Sequence, residues 1–171
     1  MADKLSKERR SANMARIRSK DTKPELAVRR MLHALGYRYR LHGKDLPGKP
    51  DVVFAGRKKV IFVHGCFWHQ HPAEACLDGR RPKSNAGYWD PKLNRNVARD
   101  RDVLIELKDL GWKALTVWEC EVKGLAKLRA QLEIFLGPQR LRQRGVLGKA
   151  ATLNSKDVCS SAVTSSESTA C

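Results

Sequence analysis

The densest chemistry in the chain lies in His64-Gly65-Cys66-Phe67-Trp68-His69-Gln70-His71, which holds three of the five histidines. Cys76 follows shortly after, and Cys120 closes a later apolar run. Cys66, His71, Cys76 and Cys120 would make a set of three thiolates and one imidazole. That set suits tetrahedral structural zinc, whose borderline softness matches both donor types. Zinc here would stabilise a long irregular loop that packing alone does not hold. The simpler reading keeps Cys66 and Cys120 as core thiols and the histidines as surface polar groups.

A second centre is built on oxygen. Asp51 follows Pro50 at the start of the run Val52-Val53-Phe54-Ala55. A carboxylate beside a sheet core is costly unless it is paired, hydrogen-bonded or metal-bound. The next apolar run ends at Val63-His64, so Asp51 and the backbone carbonyl of Val63 could approach one divalent ion. Two hard oxygens plus waters suit magnesium, which polarises a phosphate and helps generate hydroxide. Glu25 could orient a metal-bound water. His64 or His69 could move a proton or contact the phosphate. Taken singly, Glu25 has an adequate role in a helix-capping box and Asp51 could cap a turn. Phe67 and Trp68 either join the core or wedge between base pairs of DNA. Met14 and Ile17, isolated apolar residues in a basic stretch, could push from the other groove.

These residues need elements to position them. Thr22-Lys23-Pro24-Glu25 fits a helix start, with Thr22 as cap, and Val28, Met31, Leu32 and Leu35 follow at helical spacing. Gly36 is a natural stop. Tyr37, Tyr39 and Leu41 alternate with Arg38, Arg40 and His42, which predicts a half-buried strand. Residues 51–55 predict a second strand. The nearly continuous apolar run 60–63 predicts a third, covered on both faces. A helix is expected over 94–110 with Val97, Leu104 and Leu107 on its packed side. A strand is expected over 112–118, and a last helix over 121–135 built on Leu125, Leu128 and Leu132. If strand 112–118 neighbours 60–63, Cys120 returns to the histidine-rich loop. The order implies an α/β fold, a mixed central sheet flanked by helices. Residues 1–21 read as a basic arm, 22–137 as the folded domain, and 138–171 as a basic then Ser/Thr-rich tail expected to be disordered. Cys159 and Cys171 fall in that tail.

The 171 residues amount to about one domain. There are 34 Lys+Arg against 18 Asp+Glu, a formal net charge of +16. Residues 1–60 alone carry 17 basic and 6 acidic side chains. Such an excess favours a polyanion, nucleic acid first. No stretch approaches the roughly 18 apolar residues that suggest a membrane span. Five cysteines in no secreted-scaffold pattern, behind an N-terminus without an apolar signal region, suggest a reducing interior.

Four motifs stand together: Pro50-Asp51, Phe62-Val63-His64-Gly65-Cys66-Phe67-Trp68-His69, Asn94-Arg95-Asn96-Val97-Ala98-Arg99-Asp100 and Val117-Trp118-Glu119-Cys120. Together they resemble the very-short-patch repair (Vsr) DNA mismatch endonuclease family. The similarity runs from about Ser6 to Phe135. It implies a restriction-endonuclease-like fold and a strand-specific, magnesium-dependent nuclease. Such an enzyme cuts duplex DNA 5′ to the thymine of a thymine–guanine mismatch. It implies Asp51 as main magnesium ligand, His69 as general base, His64 assisting at the scissile phosphate and Glu25 supporting the hydrated metal. It implies Cys66, His71, Cys76 and Cys120 as zinc ligands, Phe67 and Trp68 as an aromatic wedge, and Met14 and Ile17 as its counterpart from the arm. The expected partners are mismatched duplex DNA and mismatch-repair proteins. A monomer in the bacterial cytoplasm, on the nucleoid, is expected.

Two departures stand out. The best-known member of that family carries Thr where this chain has Val63; a backbone carbonyl survives the change. The family more often places its second zinc cysteine closer to the equivalent of His71, whereas Pro72-Ala73-Glu74-Ala75 precede Cys76 here. Two other functions compete: a related nuclease for another lesion or site, and a non-catalytic zinc-containing DNA-binding module.

Overall fold

The computed structural model describes Ser6, Arg9, Ala12 and residues 20–139. Met14 and Ile17, most of the basic arm, and the tail with Cys159 and Cys171 lie outside the described residues. Among residues 20–139, four α-helices and four strands follow in order: α1 (Lys23–Ala34), β1 (Arg40–Leu41), β2 (Val52–Phe54), β3 (Lys59–His64), α2 (Cys66–His69), α3 (Ala86–Asp109), β4 (Lys113–Trp118) and α4 (Leu125–Leu136). No helix among the described residues is long and apolar enough to cross a membrane.

The strands form one mixed sheet in the order β1-β2-β3-β4. β1–β2 and β2–β3 are antiparallel, whereas β3–β4 is parallel. A parallel neighbour needs a crossover connection, and α3 supplies it. Side chains alternate between two apolar layers. Val52, Phe54, Ile61 and Val117 face α1 and α4, meeting Val28, Leu32, Leu128, Leu132 and Leu136. Val53, Val60 and Phe62 face α3, meeting Leu107 with Val103 beside it. The near-continuous apolar run of β3 therefore follows from burial on both faces.

Local chemistry explains the ends. Thr22 caps α1, its hydroxyl accepting from the Glu25 N–H, and Pro24 occupies the first turn. The carbonyls that close α4 are met by cations from the β2–β3 turn and the start of β3. Arg57 donates to the carbonyls of Leu136 and Pro138 at 2.7 and 2.8 Å, and Lys59 to that of Phe135 at 2.6 Å. Positive charge at a helix C-terminus offsets its dipole.

Three expectations need correction. The strand expected over Tyr37–His42 shrinks to Arg40–Leu41, because Tyr37 and Tyr39 instead pack edge-on against Phe54. The helix expected from Asn94 starts at Ala86, with Pro91 inside it. Of its supposed packed side only Leu107 is buried. Val97 and Leu104 are exposed, and Leu93 takes the inner position. The last helix starts at Leu125 behind a separate 3-10 turn, Glu119–Lys123, and Leu125 itself is 61% exposed.

This packing makes a direct test. Leu132→Ala removes a fully buried side chain from the larger layer and should cost about 2–5 kcal/mol in urea unfolding. Leu125→Ala, on the same helix but exposed, should stay within about 0.5 kcal/mol of the parent.

Candidate active site and cysteine–histidine cluster

The site grows from the end of β3. Val52 pairs with Ile61 across the antiparallel ladder. Asp51, one residue before β2, therefore reaches the end of β3, and its Oδ2 accepts the Val63 N–H at 2.8 Å. Among the described residues its other oxygen takes no hydrogen bond and is left for a ligand. Burial pushes the Asp51 carboxyl up from the usual carboxylate range. The Val63 N–H opposes this, and the charge of Glu25 adds to it. The remaining Asp51 oxygen and the Val63 carbonyl are a pair of hard donors that fits a divalent cation.

Past His64, Gly65 begins the one-turn helix α2. That turn folds His69 back over His64, with ring centroids 3.8 Å apart and planes 12° from parallel. Asp100, on α3, hydrogen-bonds His69 through Nδ1. The carboxylate fixes the imidazole by accepting from Nδ1–H, which leaves Nε2 as the acceptor. Burial and the neighbouring His69 push His64 down to about 4, so it is neutral near pH 7. Burial alone would raise the Asp100 carboxyl, but the hydrogen bond from His69 brings it below its ordinary value. Asp51, Glu25, His64, His69, Trp68 and Arg99 all line one cavity of about 880 Å³.

Glu25 is buried within this wall and held by three hydrogen bonds. It accepts from the Thr22 hydroxyl at 2.9 Å, the Asp21 N–H at 3.0 Å and Arg29 at 2.9 Å.

Gln70 takes the left-handed conformation, φ 52°. The chain turns there, so His71 leaves His69 and meets the cysteines. Trp118 pairs in register with His64, so the residues two places beyond each, Cys120 and Cys66, come together. The His71 Nδ1 lies 3.3 Å from Cys120 Sγ and 3.9 Å from Cys66 Sγ. With Cys76 the ligand atoms of all four residues lie within 4.8 Å of one another. Ligand atoms of a tetrahedral zinc stand about 3.6–3.8 Å apart, so the donor set fits that ion. Without a cation the Cys66 thiol is pushed up to about 12, chiefly by burial, and Cys120 is raised for the same first reason. The longer loop before Cys76 thus still brings it to the other three.

Phe67 and Trp68 are half-buried and do not enter the two apolar layers. They pack edge-on against each other, and both meet Trp89 of α3, at 5.3 and 6.1 Å. Lys92 lies 5.3 Å from the Trp68 ring centroid. Asn96 donates to the Trp68 carbonyl at 3.0 Å, tying α2 to α3.

Two contributors escaped the reading of single residues: Asp100 and Trp89. Both sit on the inner face of α3. Asp100 lies within the stretch Asn94–Asp100, which carried the family resemblance without being given a role of its own.

The family model described as DNA mismatch endonuclease Vsr matches residues 2–75. The chain is 51% identical over 138 residues to a type II nicking enzyme, V.XorIIP, of Xanthomonas oryzae pv. oryzae, covering 81% of this chain and 99% of that protein. It is 44% identical over 132 residues to the type II nicking enzyme V.NmeAIP of Neisseria meningitidis, covering 77% and 92%. It is 41% identical over 128 residues to the DNA mismatch endonuclease Vsr of Escherichia coli K12, covering 75% and 80%. With relatives of this identity matched over most of their length, and with the family's motifs gathered around one cavity, the chain belongs to the Vsr family of DNA mismatch endonucleases.

Proposed function

We propose that this protein nicks one strand of duplex DNA 5′ to the thymine of a thymine–guanine mismatch, in very-short-patch repair. The observation that carries the reading is convergence. A carboxylate with a free oxygen, a carboxylate-held histidine and an aromatic group share one region at the end of β3. We infer a restriction-endonuclease-like arrangement of the mixed sheet from the same convergence. A non-catalytic zinc module would have no use for the Asp51 and His69–Asp100 geometry.

Asp51 and the Val63 carbonyl would hold magnesium, and Cys66, His71, Cys76 and Cys120 would hold structural zinc. Bound magnesium supplies polarisation of the scissile phosphate and a more acidic water. His69 takes a proton at Nε2 from the attacking water, while Asp100 stabilises the imidazolium that forms. His64, neutral and stacked on His69, offers a hydrogen bond to the phosphate. Glu25 orients water on the Asp51 side. Attack proceeds in line at phosphorus, and the leaving sugar oxygen departs on the opposite face. Phe67 and Trp68, backed by Trp89, act as the wedge. A wobble pair costs less to distort than an intact one, which gives a physical route to selectivity. Met14 and Ile17 of the arm would act from the opposite groove, with the basic side chains holding the backbone. The protein acts as a monomer.

The first test is a strand-resolved nicking assay with magnesium at near-physiological salt. One duplex carries a thymine–guanine mismatch in CT(A/T)GG, a second the same mismatch in other flanks, and a third is fully paired. A single cut 5′ of the mismatched thymine is expected, absent from the paired duplex. Asp51→Asn should lower its rate by about a thousandfold or more, on the scale of several kcal/mol of lost electrostatic stabilisation. Equal cutting of paired DNA would favour a related nuclease for another site, and tight binding without cutting would favour a binding module. A second test concerns the dyad. Asp100→Asn should slow single-turnover cutting by about 10²–10⁴-fold by releasing the imidazole tautomer, with DNA affinity unchanged. Zinc is tested by elemental analysis of the purified protein. One zinc per chain is expected, and both Cys76→Ser and Cys120→Ser should lower that content and the melting temperature together.

A further inference from the structure

Glu25 and Arg29 are the two charged residues buried in the described part of the molecule, 5% and 7% exposed. They lie one turn apart on the inner face of α1. Arg29 spreads both terminal nitrogens. Nη2 donates to Glu25 Oε2 at 2.9 Å, and Nη1 to Asp21 Oδ1. Its Nε is buried and finds no partner among the described residues. An apolar side chain would suit a core position on a helix better, because a buried ion pair with an unmet donor gives little net stability. The arrangement therefore calls for a reason other than core stability.

That reason lies in what Arg29 joins. Asp21 is the last residue of the basic stretch that precedes α1. It holds a left-handed conformation, φ 55°, which a residue with a side chain rarely adopts. Its backbone N–H donates at 3.0 Å to the same Glu25 oxygen that receives Arg29. One carboxylate oxygen of the active-site wall thus collects both the arm's final peptide and the guanidinium that grips the arm's final side chain. The Thr22 hydroxyl holds the other oxygen. Glu25 and Thr22 line the same cavity as Asp51 and His69.

We propose that Arg29 is a positioning residue that, together with Asp21, sets the orientation of Glu25 in the active site. Arg29 and the Asp21 N–H fix the same carboxylate oxygen of Glu25, and the rate of cutting depends on that grip. The inference rests on the role proposed above for Glu25.

The test follows the Asp21 amide by hydrogen exchange in metal-free protein, with the β3 and β4 amides as the measure of global stability. Arg29→Leu should speed exchange at Asp21 by about tenfold or more, the scale of a lost charge-assisted hydrogen bond. Removing the buried partner of Glu25 also lowers global stability, so exchange at Asp21 is read against that in β3 and β4 and should rise well beyond theirs. On mismatched duplex the same variant should lose about tenfold in single-turnover rate, with DNA affinity within twofold of the parent, as for an interaction made chiefly in the transition state. Asp21→Asn, at a side chain 58% exposed, is the second variant should Arg29→Leu not fold. It should move both readouts the same way. Unchanged Asp21 exchange in either folded variant overturns the proposal. So does faster exchange with parental cutting, or a uniform rise in exchange at all amides, which marks Arg29 as merely structural. If the parent itself cuts no mismatched duplex, the functional reading fails. Asp21 exchange still reports on the clamp separately.

Discussion

The parallel pairing of β3 with β4 is the constraint on which the rest depends. Its register sets His64 opposite Trp118. Two residues beyond each partner stand Cys66 and Cys120, and their meeting is a consequence of that register. A slip of one residue would turn each side chain of β4 to the other face and carry Cys120 about 3.3 Å along the strand. The same pairing demands a crossover, and the crossover helix delivers Asp100 to His69. Both the thiol cluster and the histidine–carboxylate dyad are thus outcomes of one strand alignment, which Val60, Ile61, Phe62 and Val117 hold by burial.

Two donor sets of opposite character lie within a few residues of each other without competing. One is hard: the oxygens of Asp51 and Val63. The other is soft: three sulfurs and a nitrogen. Softness assigns different ions to each. The one-turn helix α2 keeps them on different sides, with Cys66 turned to the thiols and His69 to the cavity. Holding the soft set rigid also holds α2, and α2 carries the stacked histidine and both aromatic residues.

Much of this was readable in the amino-acid order because its causes are local. Thr22 and Pro24 write a helix start in three residues. The runs 52–55, 60–63 and 112–118 are short, apolar and bounded by turns, and their strands fall close to expectation. The Cys/His group was readable once strand 112–118 was set beside 60–63. What escaped depends on tertiary context. α3 begins eight residues before Asn94 and runs through Pro91, which is exposed and lacks the backbone donor that would meet the Gly87 carbonyl. The inner face of that helix carries Asn96 and Asp100 among its apolar residues. A search for apolar periodicity therefore rotates the helix toward Val97 and Leu104. The polar residues that break the pattern are the ones facing the site, because chemistry there displaces the usual rule of an apolar inside. Leu125 sits on a helix whose other leucines are buried, and only the separate turn 119–123 reveals that it begins the helix at the surface.

The left-handed Gln70 separates two histidines that differ by two positions and serve different ends. Length in this stretch is therefore information. One residue added or removed between His69 and His71 would hand each imidazole to the wrong neighbourhood, leaving thiols facing the cavity's histidine and a carboxylate facing none. The flanking segments 72–75 and 83–86 are exposed and carry no such phase. In lineages of this fold, insertions and deletions should gather there. The eight residues from His64 to His71 should drift in composition before they ever change in number.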